Sequence, residues 1–207
     1  MSTTEKQGSS LGATLNGAWR FGLVSLGGFA PWALEDLILP KSVGELGLYA
    51  GCLIFFIVFA EIFLAPLVHG PDARKRFHRA FVPAFIAYAV VWSACWFALK
   101  FGRGEWLGLA AGCATFALIV GKMLGAKSGY AKAIFVLILA HAAGYFMGAY
   151  VFGLRRHPPG FLASWPKRDL LTAAKLAWGL FYGLGFGAGI GYAFHLFQPA
   201  KPSVKKL

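Results

Sequence analysis

Residues 177–191 read AWGLFYGLGFGAGIG, and six of the fifteen are glycine. In water such a helix would be unstable, because each interior glycine costs about 1 kcal/mol against alanine. Inside a bilayer the balance changes. No water competes for the backbone hydrogen bonds, and the missing side chain lets a second helix come close enough to gain dispersion and Cα–H contacts. Gly179, Gly183, Gly187 and Gly191 recur every four residues and form one smooth ridge, with Gly185 and Gly189 beginning another beside it. This spacing predicts close helix packing within the chain, with Ala140, Gly144 and Gly148, and Gly108 and Gly112, as small-residue partners. GLGFGA in the same stretch fits a loose form of the dinucleotide fingerprint. It begins inside an apolar block rather than after a strand, which excludes that reading.

Composition points the same way. Of 207 residues, 58% are hydrophobic and 14% charged, with a mean hydropathy of +0.63, outside the ordinary soluble range. The apolar residues fall into blocks of about 20, the length a helix needs to cross ~30 Å of hydrocarbon. Five blocks are clear, at 43–68, 80–99, 106–124, 131–153 and 170–197. A sixth, 12–34, holds Asn16, Arg20 and Pro31, so it is either a span or an interfacial helix. The expected fold is all-α, a polytopic transmembrane helix bundle of six spans. Its single transmembrane domain covers 12–197, between a disordered tail at 1–11 and a basic tail at 198–207.

The net charge of +12 does not signal nucleic acid, because Lys and Arg sit between the apolar blocks rather than on one face. With six spans both termini share a side, which also receives Arg74, Lys75, Arg76, Arg79, Lys127 and Lys132. The positive-inside rule makes that side cytoplasmic, in a cell (inner) membrane, although Lys100, Arg103, Arg155, Arg156, Lys167 and Arg168 lie opposite. Trp32, Trp96, Trp106 and Trp165 gather at that opposite interface. Arg74, Lys75, Arg76 and Arg79, interleaved with aromatics in ARKRFHRAF (73–81), are the expected contacts with anionic lipid headgroups.

Ionisable groups within hydrocarbon are functional candidates because they are costly there. Glu61 and His141 are the chief ones, as a pair that would relay a proton or hold a cation, with Lys122 at a span end as a third pathway candidate. The alternative is that each is a satisfied packing group. Cys52, Cys95 and Cys113 lie in separate apolar blocks without CxxC spacing, and read as small buried hydrophobes. HExxH, GxSxG, P-loop and paired-histidine haem patterns are missing from the sequence. No catalytic residue, metal or cofactor is expected. Two functions remain from different classes: a small channel or transporter for protons, ions or a small solute, or a structural subunit within a larger membrane protein or pigment–protein complex. Partner membrane proteins or copies of the same chain go with the second.

Overall fold

The structure, a computed structural model, describes residues 9–38 and 44–198. Most of both expected tails therefore lies outside the described residues. Six long helices carry the fold: α1 (Ser10–Ala33), α3 (Gly44–Phe63), α4 (Ala73–Leu99), α5 (Arg103–Leu124), α6 (Tyr130–Gly153) and α7 (Lys167–Phe197), with a one-turn α2 (Glu35–Ile38) after α1. No strand occurs among the described residues. Four helical segments, Ala73–Leu99, Arg103–Leu124, Tyr130–Arg156 and Lys167–Phe197, are long and apolar enough to cross a membrane. The protein is an all-α transmembrane bundle.

The boundaries have local causes. Ser9 caps α1 by accepting the Gly12 amide at 3.0 Å. Pro66 turns the chain out of α3 into a short 3-10 segment, Ala65–Leu67. Gly125, at φ 76°, ends α5 in the left-handed conformation that only glycine adopts without penalty. The α4 helix begins at Ala73 rather than near residue 80, so the basic ARKRFHR segment is its first two turns and not a loop.

Successive helices run antiparallel and follow one another round a ring. The small residues fix the alignment. Ala13 and Gly17 of α1 lie against Gly191, Gly17 and Phe21 against Gly187, Ser25 against Gly183 and Phe29 against Gly179 of α7. On α6, Leu137 faces Gly189, Gly144 faces Gly185 and Gly148 faces Trp178. Tyr88, Trp92 and Trp96 of α4 meet Gly112, Gly108 and Gly104 of α5 in the same manner. The four-residue ridge of α7 thus docks on α1, while its second ridge, Gly185 and Gly189, docks on α6. Gly108 and Gly112 serve the α4–α5 contact instead of meeting α7.

This alignment decides the status of α1. The helix follows α7 from the level of Gly191 to that of Thr172, whose hydroxyl donates to the Ala33 carbonyl at 3.4 Å. Packing antiparallel along α7, which is long and apolar enough to cross a membrane, is the arrangement expected of a span rather than of an interfacial helix. Arg20 is reconciled with this depth by its hydrogen bond, Nη1 to the Phe63 carbonyl at 2.8 Å, which satisfies one of the open carbonyls at the end of α3.

One end of the bundle, here the proximal end, carries the start of α1 and the end of α7, with Arg74, Lys75, Arg76, Arg79, Lys122, Lys127 and Lys132. Gln198 locks it shut: its amide nitrogen donates to Leu67 O at 2.9 Å and Phe194 O at 2.8 Å, and its oxygen accepts the His69 amide at 2.8 Å. At the distal end all four interfacial tryptophans of the sequence appear: Trp32 and Trp96 in last turns, Trp106 in a first turn, and Trp165 just before α7. Lys175 closes this end, with Nζ 2.8 Å from Trp32 O and 2.7 Å from Glu35 Oε1.

Candidate functional site

The third face of α7 looks into the ring. Tyr182, Phe186, Ile190 and Phe194, four residues apart, are all buried. Phe186 is the hub. Its ring centroid lies 5.4 Å from Phe21 of α1, 4.7 Å from Tyr88 of α4, 5.5 Å from Phe116 of α5 and 4.7 Å from His141 of α6. Phe56 of α3 joins through Phe21 at 5.9 Å and Phe85 at 5.3 Å. Rings from every long helix therefore meet at the axis, at the separations edge-to-face and offset pairs prefer. The glycines on either side of Phe186 bring α1 and α6 in closely enough for these contacts to form.

His141, fully buried near the middle of α6, is the polar member of this core. Its Nε2 lies 3.3 Å from Tyr88 Oη and its Nδ1 3.4 Å from Cys113 Sγ. The Tyr182 hydroxyl donates to Tyr88 Oη at 3.4 Å, extending the chain of polar groups to α7. Towards the distal end, Tyr145 donates to Glu105 Oε1 at 3.1 Å, and the other Glu105 oxygen accepts the Gly102 amide at 3.0 Å at the start of α5. Towards the proximal end the core continues in apolar side chains, among them the rings of Phe81, Phe116 and Phe77, each fully buried.

Glu61 is elsewhere. It lies at the end of α3, with Oε1 2.6 Å from His78 Nδ1 and Oε2 3.9 Å from Arg74 Nε. Arg74 and His78 are four residues apart on the first turns of α4, so one helix face presents both. Lys122 is exposed on the last turn of α5. The structure therefore brings together none of Glu61, His141 and Lys122. Of the basic residues, Arg76 donates to the His69 carbonyl at 2.8 Å, while Arg74, Lys75 and Arg79 are exposed at the proximal rim. Sequence reasoning passed over Tyr88, Tyr182, Tyr145 and Glu105. The register of Tyr182 with the inward face of α7 was the available signal for one of them.

No protein-family model matches this chain. The curated proteins and the solved structures likewise contain no match to it.

Proposed function

We propose that this protein is a non-conducting multi-pass membrane subunit, a sealed scaffold that acts by binding other membrane components at its faces. The observation that carries the reading is the ring contact at the axis, where Phe186 touches aromatic or imidazole rings from α1, α4, α5 and α6. Ring packing of this kind would oppose the passage of water, and a charged or polar solute entering it would lose its hydration without replacement. We further place the proximal end in the cytoplasm of a cell membrane, on the strength of its Lys and Arg cluster.

The test has two arms. Purified protein in sealed vesicles should carry no proton or potassium flux above protein-free vesicles. Extraction in mild detergent should give a particle well above the 22.3 kDa of one chain, with partners in fixed ratio. Flux, or a bare monomer, would contradict the proposal.

A second reading keeps the small channel or transporter, and one observation favours it. The Cys113–His141–Tyr88–Tyr182 chain of polar groups, with Tyr145 and Glu105 above it, resembles a relay open towards the distal end. Such a relay would have to pass the rings of Phe81 and Phe116 to reach the proximal end, and Glu61 would have to leave His78. Flux abolished by His141→Ala or Glu61→Gln in folded protein would establish it.

A further inference from the structure

At the proximal end, the exit of α3 and the first turns of α4 border a shallow surface groove of about 690 Å3, lined by Glu61, Asp72, Ala73, Arg74, Lys75 and His78. Its charges are not all spent. Glu61 is held by His78, with Arg74 Nε at the other oxygen, which anchors one edge of a guanidinium whose side chain is 78% exposed. Asp72 makes no side-chain capping bond. Among the described residues no ion pair holds Asp72 or Lys75. The groove thus offers cationic donors and an unpaired carboxylate side by side.

Below it the walls are apolar. Val58 and Ile54 lie three and seven residues before Glu61 on α3, and Val82 and Ile86 four and eight after His78 on α4, so each pair continues the face that lines the groove. Val58, Ile54 and Ile86 are exposed. The α3 helix packs far more extensively on α1 than on α4, leaving this seam of the ring thin.

We propose that the groove binds the headgroup of a phospholipid bearing a primary amine, of the phosphatidylethanolamine type. Its phosphate sits on Arg74 and Lys75, its ammonium on Asp72, and its acyl chains lie along the seam. Guanidinium and ammonium groups are the natural phosphate donors. A purely anionic headgroup would find the same cations for its phosphate but would leave the Asp72 carboxylate without a counter-charge. A trimethylated amine has no N–H to donate to the Asp72 carboxylate. The proposal does not depend on whether the bundle conducts.

The test is native mass spectrometry of the full-length protein titrated with phosphatidylethanolamine, phosphatidylglycerol and phosphatidylcholine of identical chains. Phosphatidylethanolamine should be retained best. Asp72→Asn should abolish that preference without impairing phosphatidylglycerol binding. Arg74→Gln with Lys75→Gln should weaken both about tenfold, the size of one or more charge-assisted hydrogen bonds. All three positions are exposed, so the variants fold. Soluble phosphoethanolamine separates a lipid from a water-soluble source, and should compete only at far higher concentration. Equal retention of the three lipids, a preference for phosphatidylglycerol, an unchanged preference in Asp72→Asn, or tight binding of soluble phosphoethanolamine would each overturn the proposal.

Discussion

Substituting Gly187 by alanine places one methyl group in the α1–α7 contact. A Cβ there would fall on the Gly17 carbonyl oxygen and at 2.5 Å from Phe21 Cβ, and the Gly17 carbonyl carbon would be 3.1 Å away. Two of these three obstacles are backbone, so no rotamer change relieves the overlap and the helices must separate. A gap of 0.5–1 Å forfeits about a quarter to a half of each dispersion contact at the interface. The expected loss is about 1–3 kcal/mol. Gly51 supplies the control, since a Cβ there meets nothing within 4 Å and the change to alanine should be neutral or stabilising by up to ~1 kcal/mol. Thermal or denaturant unfolding in detergent, read by circular dichroism, measures both. If Gly187→Ala is as stable as Gly51→Ala, close contact between α1 and α7 is not what orders this fold.

Three further outcomes follow from the same contacts. Phe186→Ala removes the ring that four helices share and should cost about 3–5 kcal/mol in the same unfolding assay, whereas Phe186→Leu should cost less. His141→Phe should be better tolerated than His141→Ala, because volume is retained among the rings while the long bonds to Tyr88 and Cys113 are given up together with the polar group; a reversed order would show that the imidazole bonds, not its volume, hold the site. Lys175→Met leaves Glu35 without its partner and the Trp32 carbonyl without its donor. Because Glu35 is 38% exposed and water can replace the lost contact, unfolding should report about 1–2 kcal/mol rather than the full cost of breaking a buried pair.

What could be read directly from the residues was set by length and period. Hydropathy blocks located all six long helices, and the four-residue glycine spacing announced a docking face on α7. Spacing on one helix does not name its partner, however. The ridge meets α1, whose own small residues, Gly17, Gly22 and Ser25, are spread among Arg20, Phe21 and Leu23 and read as an irregular pattern. Glu61 shows the other limit. Its depth suggested hydrocarbon because the apolar block runs to residue 68 in the sequence, whereas α3 ends at Phe63. With α4 starting at Ala73, Arg74 and His78 come round to meet the carboxylate, a contact that depends on a helix boundary rather than on composition. His141 was found as a buried group, but its partners Tyr88, Cys113 and Tyr182 come from three different helices, and only the ring order in space brings them together.

The claim on which the rest depends is that α1 crosses the bilayer beside α7 and closes the ring. Single cysteines at Leu11 and Leu37, both 65% exposed and at opposite ends of α1 and its following turn, test it in a background with Cys52, Cys95 and Cys113 replaced by alanine. With a membrane-impermeant maleimide applied to sealed, oriented vesicles, the two positions should label from opposite sides. Labelling of both from the same side would put α1 in the interface and break the ring apart.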